Sequence, residues 1–312
     1  MKTVESVNKI RSHHGIALVW PIVLASAAVL GVVGGFVLAK VLKPDTTQYV
    51  VDEDAYAIDI KTTMKKYQAA KSKGDYSSLS APEMINIGFE LFGQEESNYS
   101  MGVGFTQAAM VKQVITARTA KEGNRYFEES NSSGLVNLYD RMFQEGDNTT
   151  LYWGDNPDYA SHTPETITNE QYKEKMGRYV SVGLSYIVSE KTLLQGSSPS
   201  GDPPTGIYEE NGGYRVEVEL DPKTSTARYQ KQMQSISSLK NRPTFDWVHL
   251  TVTLDKDLNL VRMKSHERYF ATTSAGVGSS CTGELTNVYF HTPMPGGYPN
   301  PGSVLEAFPE SL

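Results

Sequence analysis

Tyr99-Ser100-Met101-Gly102-Val103-Gly104-Phe105-Thr106-Gln107-Ala108-Ala109-Met110-Val111-Lys112-Gln113-Val114-Ile115-Thr116-Ala117 alternates without a break. The odd positions carry Tyr99, Met101, Val103, Phe105, Val111 and Ile115, and the even positions Ser100, Gly102, Gly104, Thr106 and Lys112. A period of two sends successive side chains to opposite faces of a strand, so one face is buried and the other meets water. At about 3.3 Å per residue the stretch reaches roughly 60 Å, too long for one straight strand. Its glycines and turn-free middle predict a single long, bent strand. Met101, Val103 and Phe105 on its apolar face are the expected wall of a ligand pocket.

Downstream, shorter strands are expected at Arg125–Ser130, Leu135–Gln144 and Thr149–Trp153, with turns at Glu122-Gly123-Asn124 and Glu145-Gly146-Asp147-Asn148. Thr168 with Gln171 three residues on forms a capping box, opening a helix with the apolar stripe Tyr172, Met176, Tyr179, Val180, Gly183 and Ile187. Gly196–Gly206 reads as an exposed Ser/Pro/Gly loop. Asn211-Gly212 centres a hairpin, and Asp221-Pro222 caps a further helix running to about Leu239. Strands at Phe245–Leu254, Asn259–Phe270 and about Cys281–His291 precede a Pro/Gly-rich tail, residues 293–312.

Upstream, Tyr56, Ile60, Met64 and Tyr67 share one helix face, and Lys71–Asp75 ends that helix. Ser80, Pro82 and Glu83 open another, running to about Phe92. Residues 43–54 read as a linker. Before it, Ile16–Leu42 is almost wholly apolar and long enough to cross about 30 Å of hydrocarbon as a helix. Lys2, Lys9 and Arg11 precede the span, and Asp45, Asp52, Glu53 and Asp54 follow it. That asymmetry places residues 1–15 in the cytoplasm and the large domain, residues 55–292, outside the cell membrane. A long cleaved signal peptide ending near Val37-Leu38-Ala39 is the rival reading. Ala27, Gly31, Gly35 and Ala39 line one face of the span with small side chains, as helix association requires, either self-association or packing on a partner.

The fold class expected is therefore α+β: one N-terminal transmembrane helix and an extracytoplasmic domain in which helices cover one face of a curved antiparallel sheet. After the anchor about 265 residues remain, enough for a substantial core. The net charge of -7 argues against nucleic acid as a partner. A single cysteine, Cys281, rules out an internal disulfide framework and fits a bacterial envelope better than an animal cell surface. Asn98-Tyr99-Ser100, Asn131-Ser132-Ser133 and Asn148-Thr149-Thr150 match the glycosylation sequon, which carries meaning only in an organism that uses it.

The element order from about Asp54 to Thr292 (a leading helix, a long curved meander, helices inserted midway, then long strands) resembles the half-barrel of the LolA/LppX-like envelope lipoprotein carriers. The resemblance lies in architecture and brings no diagnostic motif. It implies an apolar ligand held between a curved sheet and its helices.

Catalytic signatures are absent from the sequence: there is no G-x-S-x-G elbow, H-E-x-x-H, P-loop or dinucleotide fingerprint. No cofactor is expected. Arg262, Lys264, His266 and Arg268 recur at period two on one strand face. They form either a basic stripe for an anionic partner, such as lipid head groups or wall polymer, or a solvated face paired with acids such as Glu284. With a four-residue loop His249 opposes Lys264, and that lysine and the arginines make a metal site there an unattractive reading. Glu128-Glu129, Glu209-Glu210 and Glu95-Glu96 are neighbours that point to opposite faces, and read as surface charge. The function expected is non-enzymatic binding of an apolar or amphiphilic ligand or an envelope partner. The alternatives are a structural or sensing subunit of an envelope complex and, third, an envelope enzyme.

Overall fold

The computed structural model describes residues 53–134, 137–154, 164–237, 239–272 and 278–301, with 276 and 305. The span 16–42 and its small-residue face, Ala27, Gly31, Gly35 and Ala39, lie outside the described residues. Among the described residues no helix is long and apolar enough to cross a membrane.

Three helices lead: α1 (Glu53–Tyr56), α2 (Ile60–Lys73) and α3 (Ala81–Gln94). Asp59 caps α2 through Thr62, and Gly74, in the left-handed region at φ 67°, ends it. Ser80 and Glu83 close the expected capping box on α3. Then come β1 (Ser97–Ala108), β2 (Val111–Glu122), β3 (Arg125–Ser133), β4 (Leu138–Glu145), β5 (Asn148–Gly154) and β6 (Glu165–Thr168). Helix α4 (Asn169–Met176) and a looping segment with one 3₁₀ turn (Glu190–Thr192) lead to the hairpin β7 (Gly206–Glu210) and β8 (Gly213–Leu220). Helices α5 (Pro222–Ser225) and α6 (Ala227–Ser237) precede β9 (Thr244–Leu254), β10 (Leu260–Thr272) and β11 (Gly278–Phe290).

All eleven strands form one antiparallel curved sheet in the order β6-β5-β4-β3-β2-β1-β11-β10-β9-β8-β7. Two meanders run outward from the middle, and the first and last strands, β1 and β11, join them. Val216, Val218, Leu220, Val248, Leu250 and Val252 on the inner face are wholly buried under α2 and α3. A smaller cluster packs Tyr172 and Met176 of α4 on Met142 and Leu151 of the other meander. On the outer face Met294, Tyr298 and Leu305 of the tail lie against Ala120, Phe127 and Phe143.

The structure corrects several expectations. The stretch 99–117 is two strands, not one: Ala109 and Met110 make a two-residue loop between Ala108 and Val111. Ala109 takes a positive φ of 51°, as the first position of a type II′ hairpin requires. The buried face is also inverted. Asn98, Ser100 and Gly102 are buried, while Met101, Val103 and Phe105 are half-buried on the opposite face. Backbone crowding explains the glycines. A Cβ on Gly104 would stand 2.0 Å from the Glu284 carbonyl oxygen, so β1 and β11 meet at a distance no side chain permits.

The helix opened by Thr168 stops at Met176, because Gly177 turns left-handed at φ 82°. A Cβ there would strike the backbone of Arg228 at 2.7 Å. The β9–β10 register also differs from the expected one. The loop runs Asp255–Asn259, with Leu258 at φ 66°, and Val261 bulges out of the ladder. Each adds one residue, so His249 faces His266 instead of Lys264.

Candidate functional site

A cavity of about 250 Å³ lies on the inner face, between the middle of the sheet and the segment that follows α4. The sheet's register assembles it. Thr106, Ile115, Ser130, Leu138 and Asp140 come from the first meander, and Met263, Ser265, Tyr269, Leu285 and Asn287 from the second. Tyr186, Tyr229, Gln232 and Met233 close it from the connecting segment and α6. A second, smaller space of about 110 Å³ lies beyond Gly183 and Asn287, which border both. Met101, Val103 and Phe105 border neither.

Two sets of buried charge stand beside the larger cavity. Arg178 reaches Glu128 with both oxygens engaged, at 2.6 and 2.8 Å. Its remaining donors go to the carbonyls of Tyr179 and Val182 and to the Gln232 amide oxygen. Glu267 accepts from the hydroxyls of Tyr186 at 2.5 Å and Tyr229 at 3.0 Å. Burial outweighs those two bonds and raises the Glu267 carboxyl to about 7. Asp140 is likewise raised to about 7, by burial first and by the neighbouring Glu128 charge second. Cys281 is buried, and burial pushes its thiol up to about 12.

The outer face carries a second arrangement. His249 is buried between two carboxylates of β8, with Nε2 2.8 Å from Glu217 and Nδ1 3.0 Å from Glu219. The loop expected to be exposed, Gly196–Gly206, straps across it: Ser198 and Ser200 donate to Glu219 and Asp202 meets His266 at 2.6 Å. This loop supplies the burial that alternation alone did not signal. Burial favours neutral His249, but its bonds to Glu217 and Glu219 and the charge of Asp202 prevail and raise it to about 9. Among the described residues no group of histidine, cysteine or carboxylate side chains is placed to hold a metal ion.

The residues of the expected basic stripe do share this outer face, and three of the four meet acids. Lys264 lies 2.8 Å from Glu284, His266 binds Asp202, and Arg268 lies 3.2 Å from Asp246. Arg262 projects from the same face. Glu128 and Glu129 point to opposite faces, as neighbours on a strand must, but neither is surface charge. Glu128 is buried with Arg178 inside, and Glu129 is buried with Arg141 and Arg118 outside. Their partners come from other elements, so nothing local marks them as buried.

The chain is similar to a number of solved structures, among them LppX, LprF and a DUF1329 family protein. It shares 9% identity with the lipoprotein LppX of Mycobacterium tuberculosis, covering 69% of this chain and 96% of that one at a TM-score of 0.33. For LprF from Mycobacterium bovis the identity is 10%, the coverage 72% and 97%, and the TM-score 0.32. A DUF1329 family protein from Desulfovibrio piger shares 10% identity over 67% and 89%, at a TM-score of 0.24. These likenesses concern the arrangement of elements and carry nothing about ligand or activity. No family model matches the chain, and no curated protein matches it.

Proposed function

We propose that this chain is a membrane-anchored, extracytoplasmic binding protein that holds a small amphiphile between its curved sheet and its helices and catalyses no reaction. The observation that carries the reading is the 250 Å³ cavity, walled by Ile115, Leu138, Met233, Met263, Tyr269 and Leu285 and edged with polar groups. A dry cavity of about 150 Å³ accepts a benzene ring, so this one takes a ligand portion of roughly ten non-hydrogen atoms. The fixed charges nearby support binding over catalysis. Glu128 is tied to Arg178 and Glu267 to two tyrosine hydroxyls, and neither pair offers a free acid and base converging on one point.

Full-length protein extracted with organic solvent and examined by mass spectrometry is expected to release an amphiphile in roughly stoichiometric amount. Leu285→Trp, which fills the cavity from β11, is expected to remove most of it while the far-ultraviolet circular dichroism and the cooperative thermal transition stay native. Extracts identical to those of an unrelated membrane protein would refute the reading. The anchor at Ile16–Leu42 and the outward orientation belong to the same proposal, and the flanking charges support them. Protease added to intact cells is expected to digest the domain beyond residue 45. Protection in intact cells, with digestion after lysis, would overturn that placement.

A further inference from the structure

The polar edge of the cavity is lopsided. Arg178 is the one arginine or lysine that borders it among the described residues. A guanidinium has five N–H donors. Here Nε serves Gln232, Nη1 serves the Tyr179 and Val182 carbonyls, and both Nη2 bonds go to Glu128. Arg178 therefore has no donor left for a ligand's carboxylate or phosphate. Asp140 differs. It stands on β4 opposite Ser130, borders the cavity and is only partly exposed. Its carboxyl takes part in no hydrogen bond or ion pair among the described residues; only the charges of Glu128 and Lys175 act on it. Next to it Tyr172 of α4 is wholly buried and its hydroxyl also lacks a partner among the described residues. A buried carboxyl with nothing to bond is costly, and it persists where a ligand supplies the missing partner.

Resting on the binding function proposed above, we propose that the ligand's polar end is a protonated amine seated on Asp140, and that amphiphiles headed by carboxylate or phosphate are rejected. An ammonium brings three donors and a positive charge to a wall that holds an unpaired carboxyl and the unpartnered Ser132 hydroxyl. An anionic head would meet the unpaired Asp140 carboxyl with only neutral donors, such as the unpartnered Ser132 hydroxyl, to offset it.

The charged and titratable groups around Asp140 are few. Glu128 on β3 is neutralised by Arg178, Lys175 of α4 is held 2.9 Å from Glu165, and Tyr172 stays protonated because burial raises it far above the usual range. Trp153, its partner on β5, does not titrate. Glu267 lies across the cavity, engaged by two hydroxyls. Asp140 therefore sets the response of the polar end to pH: its carboxyl is raised to about 7, so it holds a proton and loses its charge as the pH falls below that value.

The test uses full-length protein in lipid nanodiscs, with empty nanodiscs as blank, and saturation-transfer NMR with hexylamine, hexan-1-ol and hexanoate. Hexylamine is expected to bind at least about tenfold more tightly than the alcohol, the scale of one charge-assisted hydrogen bond, and hexanoate least tightly. Asp140→Asn is expected to remove the amine's advantage while leaving the alcohol's affinity intact, which also shows that the variant folds. In the unaltered protein, lowering the pH from 8 to 6 is expected to weaken the amine and spare the alcohol, an arm that needs no variant. Equal affinities for amine and alcohol, or strong binding of hexanoate, would overturn the amine assignment and leave the binding function standing. No saturation transfer from any of the three would remove both.

Discussion

Arg178→Met is expected to lower the unfolding free energy by about 3–5 kcal/mol, enough to leave many domains of this size unfolded at physiological temperature. Glu128 and Arg178 are both almost fully enclosed, with side chains 9% and 7% exposed. Removing the cation strands a nearly enclosed carboxylate without its partner. It also frees the carbonyls of Tyr179 and Val182, which Arg178 pins beyond the end of α4. The double replacement Arg178→Met with Glu128→Gln removes the stranded charge and is expected to recover more than half of the loss. Urea denaturation followed by circular dichroism reads both values. A single replacement as stable as the native protein would show that the pair is solvated after all.

His249→Ala has the second-largest expected effect, about 3 kcal/mol, because Glu217 and Glu219 would then face each other buried without the cation between them. The pH dependence of the native protein offers an independent check. The His249 ring is raised from 6.5 to about 9 in the folded state. Its stabilisation is then complete below about pH 6.5 and is lost as the pH rises through 9. Glu217 is shifted the other way. Burial opposes its ionised form, but the bonds from His249, Thr251 and Arg215 prevail and hold its carboxyl below the usual 4.5. Its contribution is present above 4.5 and fades as the pH falls. The raised carboxyls of Asp140 and Glu267 cost stability as the pH climbs from about 4.5 to 7. Between about pH 7 and 9.5, where both are already ionised, the melting temperature is therefore expected to fall further, and less steeply in His249→Ala. An identical alkaline slope in that variant would show that another group is responsible.

Much of the scaffold is written locally. Ser80 with Glu83, and Thr168 with Gln171, place two helix starts to the residue. Asn211-Gly212, at φ 52° and 76°, forms its hairpin. The alternation at Val248, Leu250 and Val252 marks the inner face of β9. What could not be read there depends on groups distant in sequence. The Ala109-Met110 turn has none of the usual turn residues. Alanine adopts the positive φ because long ladders on both sides of the loop hold it, with Gln107 adding a bond of 2.9 Å to the Ala109 carbonyl. The face inversion in β1 follows from how closely β11 approaches Gly102 and Gly104, and β11 lies far along the chain.

The candidate site was the least legible part, for the same reason. Asp140 and Glu128 look like ordinary strand-surface acids until the sheet curls over the segment that carries Arg178, 50 residues away from Glu128. An apolar stripe was the wrong guide to a cavity whose wall includes serine, threonine and two acids.

The seam where the chain's first strand meets its last has a bearing on how the molecule is made. Tyr99 pairs with Phe290 and Gln107 with Thr282, so the ladder at the centre of the sheet cannot close until nearly all of the polypeptide has emerged from the ribosome. Until then the inner side of β1 is an open row of amides and carbonyls, a template for any passing strand. Contacts this distant along the chain are slow to form, and the half-built meander is the stage most exposed to aggregation. A nascent chain of this topology gains from a companion that shields β1 until the final strand arrives.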